Sequence, residues 1–246
     1  MHSKPGDSSN SIACNVIDGS NVLDFEPDIR NYNLDKELIK INFKERRAFF
    51  VVKRIADIVL SLIALIVLAP LLLLIAIMIR LESKGGVIFS QLRTGKDGKK
   101  FKMYKFRSMC EGAEEKRDEL LEHNEMDGPV FKISKDPRVT RIGRFIRKTS
   151  IDELPQLINI IKGEMSIVGP RPLVIYETEE FNEYENQRHM VRPGLTCYWQ
   201  ISGRNNISFN QWIPLDIKYI KEMSTWTDFK IILKTIYVVI TGKGAC

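Results

Sequence analysis

The sequence is poor in the residues that build soft-metal centres and covalent frameworks. It holds four cysteines and three histidines in 246 residues. Cys14, Cys110, Cys197 and Cys246 lie far apart without a CxxC pair, and His2, His123 and His189 are equally scattered. A disulfide scaffold and a zinc site are thereby excluded. The thiols read as reduced in a cytosolic compartment, and any metal would be a hard cation held by carboxylate and phosphate oxygens. No helix-turn-helix, zinc-finger or stacking-aromatic pattern is present to read bases, so no nucleic-acid partner is expected. Residues 1–45 do not read as a secretory signal either, because the first long apolar run begins only at Ile58 and lacks a small-residue cleavage site.

What the chain does have is positive charge and one long apolar run. The formal charge is +6, yet residues 1–45 carry five Lys/Arg against eight Asp/Glu, so the excess lies in the remainder. A basic body calls for an anionic partner such as anionic lipid or a phosphorylated substrate. Residues 1–45, rich in Ser, Asn and Asp, read as a polar arm or docking segment without a core of its own.

The apolar run extends from Ile58 to Ile79. As a helix it would span roughly 33 Å, enough to cross a bilayer. Pro70, near its midpoint, removes a backbone donor and crowds the preceding turn. The flanks are basic on both sides, with Lys53 and Arg54 before it and Arg80 and Lys84 after it. A crossing helix shows charge asymmetry, whereas a hairpin with both ends in the cytoplasm does not. On these residues alone, a single span and a re-entrant hairpin both stay open.

Beyond residue 83, Val87–Arg93 and Lys99–Ser108 flank Thr94-Gly-Lys-Asp-Gly98, which reads as a β-hairpin with an Asp-Gly reversal. Glu111–Glu125 reads as a charged, solvated helix. Arg138, Arg141, Arg144 and Arg147 recur every three residues opposite Val139, Ile142, Phe145 and Ile146, a basic amphipathic helix suited to headgroups or to phosphate. The segments from Trp212 through Ile220 and from Asp228 to Ile240 read as two C-terminal helices. Trp226 and Tyr237 would serve the second as interfacial anchors.

The chemistry concentrates around Thr149-Ser-Ile-Asp-Glu-Leu-Pro-Gln156, the start of a helix stopped at Gly163. Ser150 and Glu153 have the spacing of a capping box, which by itself would account for Asp152 and Glu153 as a good helix start. The same geometry offers unpaired N–H groups to phosphate and a carboxylate able to attack phosphorus or hold magnesium. Nearby, Val168-Gly-Pro-Arg-Pro172 locks Arg171 between two prolines, a rigid mount for a bidentate phosphate ligand.

Six segments in order resemble the monotopic phosphoglycosyl transferase family, the bacterial sugar transferases that start glycan assembly on undecaprenyl phosphate. They are Lys53-Arg-Ile-Ala-Asp57, the proline-broken apolar hairpin, Phe101-Lys-Met-Tyr-Lys-Phe-Arg-Ser108, Thr149–Gln156, Val168–Pro172 and Arg192-Pro-Gly-Leu-Thr196, and the match covers residues 50 to 241. The resemblance implies an α+β, predominantly helical fold. A re-entrant helix-break-helix over residues 46–82, broken at Pro70, would join a membrane-surface catalytic domain over 83–246, with a β-hairpin and interfacial amphipathic helices. It implies a Mg²⁺-dependent transfer of sugar-1-phosphate from a UDP-sugar to polyprenyl phosphate at the bacterial inner membrane, facing the cytoplasm. Membrane lipid would be a further partner, and a homo-oligomer is compatible with it. By the same resemblance Asp152 is the nucleophile and a metal ligand, Glu153 its dyad partner, and Arg147, Arg171 and Arg204 hold phosphate or the nucleotide sugar. Lys105 and Arg107 lie in a family strand near the site. Ala69-Pro70 replaces the family's frequent Ser-Pro, so the break would rest on Pro70 alone. Rival readings are an anion-binding membrane module or a scaffold subunit whose Asp-Glu pair only caps a helix.

Overall fold

The computed structural model describes residues 38–125, 133, 135–202 and 209–241. The apolar run lies within helix α1 (Arg47–Glu82), 36 residues long. Among the described residues it is the one helix long and apolar enough to cross a membrane, and its most apolar 18-residue window is only 11% buried. A core helix of a soluble domain would be mostly covered, so this face is built for lipid. The other face is covered on both sides of Pro70. Asp57, Ser61, Ile75 and Ile79 are buried, and Ala64, Leu65, Leu72 and Ala76 pack beside them. That spacing of three and four residues is one stripe of a helix.

α1 runs through Pro70 as one helical element, so the break expected there does not interrupt its secondary structure. Proline deletes one main-chain donor, and the surrounding Leu, Ile and Ala side chains offer the remaining backbone no competing partner. Both ends of α1 are tied to the same body. Lys53 pairs with Asp228 at 2.6 Å near one end, and Glu82 accepts the backbone N–H groups of Arg141 and Ile142 at the other.

The hairpin forms as the alternation predicts. β1 (Ile88–Thr94) pairs antiparallel with β2 (Lys100–Phe106), and the reversal places Asp97 and Gly98 at positive φ. The amphipathic helix is shorter than the arginine spacing suggested. α2 covers Arg141–Lys148, capped by Thr140, whose Oγ1 accepts from Gly143 N at 2.9 Å. Arg138 precedes it and is buried in an ion pair with Asp136 at 2.7 Å, so it is not part of the exposed stripe. The charged stretch beyond residue 110 contains a 3₁₀ segment, Glu115–His123, in place of an α-helix.

α3 (Gln156–Lys162) ends at Gly163 in the left-handed region, as the sequence predicted. Its exposed C-terminal carbonyls are taken by two arginines. Arg54 of α1 donates to Ile160 O and Ile161 O, and Arg192 donates to Gly163 O. These contacts complete the last turn and complement the negative end of the helix.

Beyond α3, β3 (Ser166–Val168) runs parallel to β4 (Gly194–Thr196). The short helices α4 (Ile175–Thr178) and α5 (Glu183–Asn186) lie between these strands in sequence, and α6 (Tyr198–Ile201) follows β4. α7 (Phe209–Glu222) and α8 (Thr225–Thr241) close the main core around Trp199, Trp212, Tyr219 and Ile231. Ile39, Ile41 and Phe43 pack against that core, which docks the end of the polar arm. On α8, Asp228, Ile231, Lys234 and Val238 are buried, while Trp226, Phe229, Ile236 and Ile240 are exposed.

Candidate active site

Asp152 and Glu153 sit in a single 3₁₀ turn, Ile151–Glu153, between α2 and α3. The capping box expected at Ser150 and Glu153 is not formed. Ser150 adopts φ 58°, its side chain makes no cap bond, and the Glu153 carboxylate is drawn into ion pairs instead. The left-handed residue lets the chain reverse sharply out of α2, which turns the Asp152 side chain inward.

Asn159 fixes this turn against the hairpin. Its side-chain oxygen accepts Tyr104 N at 3.0 Å and its amide donates to Lys102 O at 2.7 Å, as a neighbouring strand would. The register so imposed brings Lys105 of β2 to Glu153, with Nζ 2.8 Å from Oε1. Arg171 approaches the same carboxylate oxygen at 3.7 Å, and Gln200 Nε2 donates to the other at 3.4 Å. The Arg171 guanidinium lies over the Trp199 ring, 4.8 Å from its centroid. Lys105, Glu153, Gln156, Arg171 and Arg93 line one cleft of about 220 Å³. Arg147 donates to Ser108 Oγ at 2.8 Å, and its charge acts on Asp152.

Burial lifts the Asp152 carboxyl to about 6; Glu153 adds to the rise, while Lys105, Arg147 and Arg171 oppose it. Removal from water penalises the ionised form, and here the surrounding cations compensate only in part. Because the folded-state value lies above the ordinary one of 3.8, the ionised carboxylate weakens the fold at neutral pH. That penalty is relieved as pH falls from about 6 towards 3.8. If the carboxylate must be ionised to react, kcat/KM should be flat above about 6 and fall tenfold per pH unit below it. A rate profile unchanged down to pH 5 would remove Asp152 as the titrating group.

The sequence-derived set is therefore only partly assembled in one place. Lys105, Glu153 and Arg171 meet in the cleft, with Asp152 beside them in sequence and Arg147 acting from the α2 side. Arg107 points elsewhere. Its Nη2 donates to the Ser83 carbonyl and hydroxyl, bracing the exit of α1. The resemblance had grouped it with the anion ligands, but its neighbour two residues earlier on the strand carries the contact with Glu153. Arg204 lies outside the described residues.

Sequence reasoning missed Arg93, which shares the cleft and donates to Pro172 O at 3.3 Å. Burial pushes its guanidinium down to about 10 despite Glu177 alongside. Trp199 and Gln200 were likewise not singled out. Arg93 has no motif spacing to betray it, because Pro172, which draws it into the cleft, lies 79 residues away.

Among the described residues no group of three or more His, Cys, Asp or Glu could cage a metal. Glu153 is already ion-paired, so Asp152 is the carboxylate left for a cation. One carboxylate supplemented by substrate phosphate oxygens and water suits magnesium, which keeps most of its hydration shell.

Comparison with known proteins gives this geometry a context. The sequence profile of a family described as "Bacterial sugar transferase" matches residues 48–242. The chain is 48% identical over 196 residues to the galactosyl transferase CpsE of Streptococcus agalactiae, covering 79% of this chain and 43% of that protein. It is 39% identical over 201 residues to the UDP-glucose:undecaprenyl-phosphate glucose-1-phosphate transferase of Escherichia coli, covering 78% and 41% respectively. The exopolysaccharide production protein ExoY of Rhizobium meliloti is 41% identical over 197 residues, covering 78% of this chain and 87% of ExoY. The chain thus spans less than half the length of the first two relatives and most of the third.

Proposed function

This chain belongs to the bacterial sugar transferase family, and on that premise we propose that it transfers a sugar-1-phosphate from a UDP-sugar to polyprenyl phosphate through an ester on Asp152. The observation that carries the reading is a buried carboxylate, raised to about 6, beside a cleft lined by Lys105, Arg171 and Arg93. At neutral pH such a carboxylate is ionised yet poorly solvated, and a nucleophile in that condition has less water to shed.

In the first half-reaction Asp152 Oδ attacks the sugar-proximal phosphorus. The bond from that phosphorus to the bridging oxygen breaks, and UMP departs with the electron pair. In the second, a phosphate oxygen of the polyprenyl acceptor attacks the same phosphorus. The ester to Asp152 breaks, the carboxylate is regenerated, and polyprenyl-diphospho-sugar leaves. Arg171 and Lys105 would take the diphosphate, and Arg147 of α2 counters charge at Asp152. A magnesium ion held by the Asp152 carboxylate and the donor's phosphate oxygens would supply further charge neutralisation. Glu153, held by Lys105, Arg171 and Gln200, fixes the turn that carries the nucleophile.

The disposition of α1 supports action on a lipid acceptor. Its two ends bind one body, so a straight crossing would separate residues that are in contact. A bend of α1 at Pro70 would let its exposed face enter the bilayer and return to the side it came from. Lys230, over the Trp226 ring at 5.5 Å, suits α8 to the headgroup layer of the inner membrane on the cytoplasmic side. The sugar itself is not carried over from the relatives, whose names give galactosyl in one and glucose-1-phosphate in another.

Intact-protein mass spectrometry tests the proposal. Full-length protein in detergent is mixed with magnesium and a panel of UDP-sugars, without lipid. A mass increase equal to one hexose- or N-acetylhexosamine-phosphate is expected with one donor, together with released UMP. If no donor gives an adduct, and none releases UMP when polyprenyl phosphate is added, the chain is not this enzyme.

A further inference from the structure

Arg171 is the anion ligand set between two prolines, and every carbonyl from Pro170 to Leu173 is occupied. Gly194 N donates to Pro170 O at 2.8 Å, Arg93 Nη1 to Pro172 O at 3.3 Å and Thr94 N to Leu173 O at 3.1 Å. The remaining carbonyl, that of Arg171 itself, accepts from Arg188 Nη2 at 2.7 Å. Arg188 is 2% exposed and is bound through Nε and Nη2 to Asp216, which is equally buried. The backbone N–H of Arg171 also favours the ionised form of the Asp216 carboxylate. One ion pair therefore acts on both backbone polar groups of Arg171, holding its carbonyl directly, and it does so from α7 and the 3₁₀ turn Gln187–Met190, outside the cleft.

The side chain is guided from the same helix. Arg171 lies over Trp199, and Trp199 packs on Trp212 with ring centroids 4.7 Å apart. Trp212 and Asp216 are four residues apart on α7, hence on one face. Through Arg188 and Trp199, backbone and side chain of Arg171 are thus both backed by α7, which supplies none of the residues lining the cleft.

We infer that the buried Arg188–Asp216 pair is a positioning device for the donor, holding the Arg171 guanidinium at the phosphate-binding end of the cleft. This rests on the proposed function for the identity of the donor only. The physical ground is that a buried ion pair is poor value as pure stabilisation, since apolar residues of like volume commonly serve as well. An isolated buried charge is far worse, so the pair must be changed together. What apolar replacements cannot supply is a donor held on the Arg171 carbonyl and a negative charge beside its N–H. A displacement of about 1 Å in a phosphate ligand is enough to cost much of its contribution.

The test combines Arg188→Met with Asp216→Leu, which removes both charges, and compares it with Arg188→Lys, which keeps the ion pair but lacks the second arm that reaches Arg171 O. The donor KM in the UMP-release assay should rise about tenfold in the double variant and by less in Arg188→Lys, with melting temperatures near wild type. In an Arg171→Ala background the double substitution should change KM less than twofold, because its effect acts through that side chain. Additive effects, or a wild-type KM in the folded double variant, would overturn the inference.

Hydrogen exchange decides the matter whatever the donor proves to be. Within Pro170-Arg171-Pro172 the only amide is that of Arg171, so a peptide over this stretch reports it cleanly. That amide should exchange at least tenfold faster in the double variant while the amides of α7 keep their protection. Unchanged exchange at Arg171 would show that the pair does not hold it, and absence of turnover in wild type would count against the proposed function alone.

Discussion

Asp152→Asn should abolish adduct formation and turnover, by at least about a thousandfold, while making the protein harder to unfold. The first effect follows from the chemistry, since an amide oxygen cannot form the ester that the proposed first step requires. The second follows from burial. Asp152 is 7% exposed, and its carboxyl is raised to about 6, which means that the ionised form is held against a penalty at neutral pH. Asparagine occupies the same volume without that charge. The expected gain is on the order of 1–2 kcal/mol, or a few degrees in melting temperature for a chain of this size. The gain should be present at pH 7.5 and shrink by pH 4.5, where wild-type Asp152 is itself protonated. A variant less stable than wild type at pH 7.5 would mean that the cations around Asp152 outweigh its desolvation. Wild-type turnover would sink the assignment of the nucleophile.

Gly194→Ala should damage the fold more than a change at any charged residue of the cleft it helps to line. Gly194 is not in a left-handed conformation, so space alone restricts it. A methyl group there would lie 2.1 Å from Gly169 N and 2.5 Å from Gly169 O, and both are backbone atoms that cannot swing aside. The two glycines bring β3 and β4 together where Val168-Gly-Pro-Arg and Arg192-Pro-Gly meet. Parting the strands would break Gly169 N to Thr196 O and Gly194 N to Pro170 O, the bonds that mount the Arg171 loop. A loss of about 3 kcal/mol or more is expected, lowering the melting temperature by roughly 10 °C. Thermal unfolding checks this, and a melting temperature within two degrees of wild type would show that the strands yield without cost.

These two positions mark how far the sequence could be read. Asp152 and Glu153 were legible because their motif is local, as were Gly163 as a helix stop and Asp97-Gly98 as a reversal. Each depends on a few consecutive residues and on backbone preferences that neighbours do not override. The capping box at Ser150 misled for an instructive reason. Its spacing was correct, but Lys105 and Arg171, from two distant segments, claimed the Glu153 carboxylate. Arg138 misled in the same way, since periodicity placed it on a helix face and a buried carboxylate two residues away took it out.

By itself the sequence determined the family-bearing motifs, the apolar length of α1 and the local elements, because these follow from hydrophobic period, turn chemistry and residue order. Only the tertiary structure decided which charges meet. It set Lys105 rather than Arg107 beside Glu153, brought Arg93 into the cleft, and placed Arg188 and Asp216 behind Arg171. It also tied both ends of α1 to one body. The reason is physical: periodicity tells which face of an element is buried, but an ion pair forms only where the packing of whole elements brings two side chains within a few ångströms and strips away the water between them.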